Sequence, residues 1–296
     1  MVSATDRAPM GSRPGRRTEC DAGPVGRSEY LDRFYPSRVV RSGMAGDTSA
    51  LKTVLRAFAV IDVLERKRSA GPSAVAAELD VSRATAHDYL TTLEETGYVV
   101  NDGGSYRVGY RFLGLGSRVK HRSVLFNAAR APLRKLSEET GDLCQVGIEE
   151  DGEWVLLHND GDTSTVDMGT YPGLRFPIHT QAAGKAMLAY LPDGRVEEVV
   201  AARGLEPVTE HTITDPDELR AELDRIREDG YAVDSDQQEV GVSIFAAPIL
   251  VQGEIVGTVS VACPTGRLQS DDYRRSRVRS VVETADEVSL NYRYSQ

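Results

Sequence analysis

The run Ser82-Arg83-Ala84-Thr85-Ala86-His87-Asp88 places a guanidinium, two hydroxyls, an imidazole and small residues within two turns of a prospective helix. A guanidinium can fork onto the O6 and N7 acceptors of guanine, hydroxyls suit phosphate oxygens, and alanines let the backbone come close to a groove. Ser82, Arg83, Ala84, Thr85 and His87 therefore form a candidate DNA-reading face, with Arg83 the first choice for base contact. Lys52, Arg56, Arg66, Lys67 and Arg68 before this run, and Arg107 and Arg111 after it, could supply phosphate contacts. The plainer alternative is a solvated helix surface, and any one of these residues fits that as well. Their combination is more specific than its members.

Catalytic chemistry finds no comparable support. The five histidines, His87, His121, His158, His179 and His211, fall in no metal-binding spacing such as HExxH. The three cysteines, Cys20, Cys144 and Cys263, are far apart and odd in number, so neither a disulfide framework nor a metal knuckle follows. Ala182-Ala183-Gly184-Lys185 lacks the glycine spacing and the following hydroxyl of a phosphate-binding loop. No catalytic residue, cofactor or metal ligand is assigned. A metal- or redox-responsive regulator would need His158, His179 and Cys144 to converge in three dimensions, and their spacing lends that no support.

To read a groove, residues 82–88 must open a helix that follows another helix across a turn. The pattern supplies this. Leu51, Val54, Leu55, Phe58, Ile61 and Leu64 recur at helical spacing over residues 50–67, with Asp47, Thr48 and Ser49 as available caps. A short helix over Ser73–Leu79 follows, then a turn at Asp80-Val81, then a helix from the cap Ser82 to about Thr96, stopped by Gly97. Tyr98-Val99-Val100 and Tyr106-Arg107-Val108 flank Asn101-Asp102-Gly103-Gly104, the turn chemistry of a hairpin wing. Residues 47–110 thus read as a winged helix-turn-helix domain. Residues 111–140 read as linker helices. Beyond Gly141, strands are expected at 143–149, 153–159, 245–251 and 255–262, with helices at 181–191, 215–229 and 271–290. With no regular βαβ repeat, the expected class is α+β with a mainly antiparallel sheet over 141–296.

The chain has 296 residues and a formal net charge of −10, so two ordinary cores are expected and DNA contact must come from a local basic patch. Residues 1–46 hold eight Arg against five Asp or Glu, a net of +3 that leaves −13 for the remainder. This segment is rich in Arg, Gly, Pro and Ser without apolar periodicity, and reads as a disordered leader. Met44 is an alternative start of translation, and a flexible arm on DNA phosphates is the competing reading. Acidic residues with few lysines fit the proteins of a high-salt cytoplasm, as in a haloarchaeon, with an ordinary acidic bacterial protein as the plainer alternative. No run approaches the roughly 18 apolar residues of a membrane span, and the N-terminus has no signal-peptide core, so a cytoplasmic protein without membrane contact is expected.

The segment AVAAELDVSRATAHDYLTTLEETGYVV resembles the helix-turn-helix and wing of the isocitrate lyase regulator (IclR) family, and YRVGYRFLGLG resembles its connection to the linker helix. HTQAAGKAMLAYLP, TITDPDEL, LDRIREDGYAVD, GVSIFAAPI and GTVSVACPTGRL then follow in the order of that family's effector domain. The resemblance spans about residues 50–290. It implies a GAF-like effector domain behind a winged-helix DNA reader, assembled as a homodimer or homotetramer on double-stranded operator DNA and controlled by a small organic effector.

The resemblance also implies where that effector binds. Family members with 2-oxoacid ligands hold the carboxylate on backbone N–H groups at the start of the GKA helix, here Ala182 and Ala183, an arrangement that a helix N-terminus favours. The alternative is that Ala182, Ala183 and Gly184 only allow close packing and that Lys185 is a surface residue. Asp234 and Ser260 match ligand-contact positions. Ile244 stands at the usual cysteine position, Ala262 where serine is common, and Gln237 where glutamate is frequent. These departures point away from a pyruvate-like or glyoxylate-like ligand and toward a larger or less polar catabolic metabolite. A ligand-binding protein that has lost DNA binding is the remaining alternative.

Overall fold

The computed structural model describes residues 51–161, 166 and 169–295. The expected leader at 1–46 and the caps Asp47, Thr48 and Ser49 lie outside the described residues.

Three helices and a hairpin form the first unit: α1 (Lys52–Lys67), α2 (Pro72–Leu79), α3 (Arg83–Glu95), β1 (Val99–Asp102) and β2 (Ser105–Val108). Pro72 occupies the first position of α2, where its missing N–H costs nothing. Ser82 caps α3 by accepting from Thr85 N–H at 3.0 Å. The wing turns on Gly103 and Gly104, both at positive φ as a two-residue hairpin demands, while Asn101 Oδ1 accepts from Gly104 N–H at 2.8 Å. Val60, Val63, Leu64, Val75, Ala86, Leu90, Val99 and Tyr106 make its core. Tyr106 also pairs with Ala70, adding a bridge ahead of α2.

The helix expected over 50–67 is present, and its apolar residues divide between two sides: Ala59, Val60, Val63 and Leu64 face the core, whereas Leu51, Val54 and Phe58 are exposed. The small core is filled by the first set, which leaves a second apolar stripe outside.

A linker helix, α4 (Arg111–Arg122), has no buried residue. It leads into α5 (Val124–Thr140), whose Leu125, Ala128, Ala129, Leu133 and Leu136 pack against the sheet of the second unit. The second half of the expected linker is thus part of the effector-domain core. Pro132 inside α5 removes the N–H that would bond Ala128 O, and the Asn291 amide donates to that carbonyl at 3.3 Å instead.

The rest is a six-stranded antiparallel sheet in the order β5-β4-β3-β8-β7-β6. It comprises β3 (Leu143–Glu150), β4 (Glu153–Asp160), β5 (Arg175–Pro177), β6 (Ala232–Ser235), β7 (Val242–Val251) and β8 (Glu254–Pro264). The short strands β5 and β6 were not foreseen. The hairpins β3–β4 and β7–β8 turn on Asp151-Gly152 and Gln252-Gly253, again with both residues at positive φ. One face carries α5 and α9 (Asp271–Tyr294). The other carries α6 (Ala182–Leu188), the unforeseen α7 (Asp193–Arg203) and α8 (Pro216–Asp229).

Asp142, fully buried, ties the first strand of this sheet to its last helix. It accepts from Arg267, from Tyr273 Oη at 2.8 Å and from Arg277 Nε at 2.7 Å. Two guanidiniums and a phenol offset the cost of burying that carboxylate. Among the described residues no helix is long and apolar enough to cross a membrane.

Candidate DNA-reading face and effector site

At the start of α3 the geometry follows from capping. Ser82 and Thr85 are turned toward each other, with their hydroxyl oxygens 2.9 Å apart. Ala86 and Leu90 point into the core, and Ser82, Arg83, Ala84 and His87 are exposed. Arg83 thus projects from the first turn with no protein partner among the described residues, while Ser82 and Thr85 spend part of their hydrogen-bonding capacity on the cap. On the wing, Arg107 is held by Asp102 at 2.8 Å, so it is less free than its sequence position suggests. Arg66 and Lys67 pair with Glu78 of α2 at 3.2 and 2.8 Å. Arg111 donates to Thr96 O and lies over the Tyr98 ring at 4.8 Å, fixing the start of α4 beneath the wing.

The second candidate site is built on the sheet face under α6. Strand register sets Asp234, Ile244, Ala262 and Leu143 side by side on β6, β7, β8 and β3, and sets Ala232, Ala246, Ser260, Gln145 and Asn159 in the next row. Asp234, Ile244 and Ser260, singled out from sequence, therefore share one face. Ala182 and Ala183 open α6 above it, both fully buried.

One Asp234 carboxylate oxygen accepts from Ala182 N–H. The chain's own carboxylate thus holds one of the two backbone positions expected to receive a ligand anion. Four buried polar atoms have no partner among the described residues: Asp234 Oδ1, Ser260 Oγ, Gln181 Nε2 and Gln238 Nε2. Burial pushes the Asp234 carboxyl up to about 7, against the pull of Lys185 and of the Ala182 N–H. Lys185 is not a surface residue but fully buried, with Nζ 2.6 Å from Gln237 Oε1 and 3.6 Å from Glu222 Oε1. Gln237, noted as a departure, is therefore the acceptor for that ammonium. Thr180 Oγ1 donates to Gln238 Oε1, which orients the Gln238 amide nitrogen.

Gln145, Gln181 and Gln238 escaped sequence reading. Gln145 Nε2 reaches Thr170 Oγ1 at 3.4 Å, and Asn159 Nδ2 reaches Thr170 O at 3.3 Å. The available signal was alternation along β3, which puts Gln145 on the face of Leu143, and the place of Gln181 just before the AAGK helix. The face combines amide donors, a hydroxyl and a carboxylate acceptor with Ile244, Ala262 and Ala246, a set that accommodates an organic molecule bearing both polar and apolar parts.

The residues that a metal or redox sensor would need lie apart. His179 is on the α6 side, its Nε2 3.1 Å from Glu206 O, while Cys144 and His158 face α5. Burial raises the Cys144 thiol to about 12 and leaves it un-ionised. Behind α6, Ile178, Leu188, Val199 and Leu205 line a cavity of about 160 Å³. None of the four unpartnered atoms belongs to its lining.

Comparison with known proteins gives these two sites a context. The model of the IclR helix-turn-helix domain matches residues 53–103, and that of the bacterial transcriptional regulator IclR C-terminal domain matches residues 117–290. The chain belongs to the IclR family. Among IclR-family relatives, the probable transcriptional regulator ArcR of Halobacterium salinarum is 30% identical over 250 residues, covering 83% of this chain and 95% of its own. BhcR of Paracoccus denitrificans is 32% identical over 250 residues, with 83% and 89% covered. The crystal structure of Thermotoga maritima IclR superposes with a TM-score of 0.71 at 27% identity, covering 82% of this chain and 99% of that one. As an IclR-family regulator, the protein joins a helix-turn-helix DNA-binding domain to a ligand-binding C-terminal domain.

Proposed function

We propose that this regulator reads operator DNA through Ser82, Arg83, Ala84, Thr85 and His87, with Arg107 on the backbone, and that a small organic catabolic metabolite on Ala182, Ala183, Asp234, Ile244 and Ser260 controls that binding. The observation that carries the reading is the set of four unpartnered buried polar atoms, two on the sheet at Asp234 and Ser260 and two beside it at Gln181, next to the start of α6, and at Gln238, after β6. Buried polar groups without partners cost about 1–3 kcal/mol each, so a ligand that satisfies them binds with that cost already met. The reading is that of a cytoplasmic regulator and not of an enzyme.

Assembly as a homodimer or homotetramer belongs to the same proposal. Leu51 at the start of α1, Val54 and Phe58 on it, and Leu113, Leu115 and Val119 on α4 are exposed, and covering such surface with a second copy removes it from water. A two-fold protein also reads paired half-sites.

The test is anisotropy or gel-shift binding of the chain to the intergenic DNA upstream of its own coding region, with excess non-specific competitor and across salt. A panel of 2-oxo acids, hydroxy acids and sugar acids is added in turn. Specific binding altered by one compound is the expected result; binding that no compound changes removes the effector, and absence of specific binding removes the operator. Sedimentation velocity of the same sample reads the assembly.

A further inference from the structure

We propose that His158, through Lys120, couples the effector face of the sheet to the linker helix that carries the DNA-binding domain. The inference rests on the effector reading above and names the residues that transmit it.

The argument starts from a bulge. Val146 of β3 pairs with His158, but its neighbour Gly147 pairs with Leu156, so β4 carries one extra residue, Leu157. Strict alternation from Trp154 and Leu156 would put His158 on the effector side and Asn159 on the α5 side. The extra residue reverses this: Asn159 joins the row of Ser260 and Gln145, and His158 turns to the opposite face beside Phe126 of α5, with ring centroids 5.2 Å apart. Trp154 fixes the irregularity. Its indole fills the space above Gly147, where a Cβ would lie 2.2 Å from Trp154 Cε2, and its Nε1 donates to Thr258 Oγ1 at 2.9 Å.

Two adjacent residues of β4 therefore reach opposite sides of the sheet. Asn159 holds Thr170 in the segment over the effector face, and Gly173 of that segment donates to Leu156 O at 2.8 Å. His158 Nδ1 lies 3.1 Å from Lys120 Nζ, on the last turn of α4, and the ammonium also sits 4.6 Å above the Phe126 ring. Among the described residues this is the side-chain hydrogen bond from α4 to the sheet. The other end of α4 is fixed beneath the wing by Arg111 and by Phe112, whose ring lies 4.7 Å from that of Tyr98. A shift of Thr170 has a short path to the linker: one peptide unit of β4, one imidazole, one ammonium.

The polarity of the contact adds a proton dependence. Lys120 donates, so His158 accepts at Nδ1 and carries its proton on Nε2. Burial and then the Lys120 charge hold the imidazole below its ordinary value, with Asp160 on the same strand face opposing them. Phe126 and Val146 beside it are apolar, and His121 of α4 packs on the same Phe126 ring with centroids 5.1 Å apart. Protonating Nδ1 replaces the hydrogen bond with repulsion and frees the end of α4.

Hydrogen exchange on the full chain, corrected for intrinsic rates, tests this in segments 111–122 and 169–174 at pH 7.5 and 5.5. Lys120→Met, a change on an exposed helix, is expected to speed exchange in 169–174 by about threefold or more at pH 7.5, and His158→Leu to do the same. His158→Gln, whose amide oxygen accepts from Lys120, keeps the parent rate at pH 7.5 and removes the parent's acceleration at pH 5.5. Unchanged exchange in 169–174 for Lys120→Met overturns the proposal, as does a pH response that survives in His158→Gln. No ligand is added, so a metabolite panel without effect would remove the effector reading and leave this result standing.

Discussion

Asp234 divides its carboxylate between two tasks: one oxygen accepts the Ala182 N–H at the start of α6, and the other meets no donor among the described residues. Asp234 stands beside Ile244 in the sheet, and a ligand hydroxyl or N–H is the natural partner of its second oxygen. Asp234→Ala is expected to abolish the response to the active compound while operator affinity stays within about twofold, because the DNA-reading face is remote from β6. Anisotropy titrations with and without the compound decide this; an equal response in variant and parent removes Asp234 from the site.

The same carboxylate makes stability depend on pH. Its folded value of about 7 lies above the ordinary aspartate value of 3.8, so the folded state binds more protons between these limits and stability falls as pH rises through that window. Asp234→Asn keeps an acceptor for Ala182 and stays neutral. Thermal melts should show the variant more stable than the parent at pH 8, with the gain shrinking at pH 5 and gone near pH 4. A gain that does not vary with pH contradicts the assignment.

Arg83 extends exposed from α3 with no partner for its donors among the described residues, and Ser82 holds the helix start. Arg83→Ala should weaken operator binding by about 1–3 kcal/mol and relax base preference at one position of each half-site, leaving the melting temperature in place. Ser82→Ala should instead lower stability by about 1 kcal/mol through loss of the cap. Competition binding against a set of operator variants, alongside melts, separates the two. Equal affinity of Arg83→Ala for every variant and for the parent site would remove Arg83 as a base reader.

Gly184 lies where α6 crosses the end of β5. A Cβ there would stand 1.9 Å from Ile178 O, a backbone atom that cannot swing aside. Gly184→Ala should cost about 3 kcal/mol and displace the Ala182 N–H from Asp234. Denaturant melts measure the first effect, and loss of compound binding at temperatures where the variant remains folded measures the second.

Sequence periodicity was sufficient where one element buries one face against its neighbours. The helices of the DNA-binding unit and the long strands β3, β4, β7 and β8 were expected within a few residues of their observed bounds, because caps, turn glycines and alternation all act locally. The buried side of α1 was not legible, because two apolar stripes share that helix and periodicity does not say which one the core takes. The strands β5 and β6 are three and four residues long, too short for alternation to register, and exist because long neighbours offer them hydrogen bonds. Asp234, Ile244 and Ser260 were assigned to the site by resemblance, whereas Gln181 and Gln238 needed coordinates: Gln181 is buried next to the Ala182 N–H that meets Asp234, and Gln238 meets Thr180 across the fold. The burial of Lys185 was equally hidden, since only the packing of α8 brings Glu222 to it. No local signal announces the β4 bulge, which depends on a tryptophan occupying the place of a side chain that Gly147 lacks.

The ties that converge on Asp142 also impose an order of events on a growing chain. Arg267, Tyr273 and Arg277 lie 125, 131 and 135 residues downstream of it, and Asn291 reaches back to α5 over a still longer interval. The helix-turn-helix unit uses contacts within one short stretch and can close soon after it leaves the ribosome, whereas the effector sheet keeps an exposed apolar face until α9 has been made. During synthesis, then, the protein acquires its hold on DNA before it acquires its control over it.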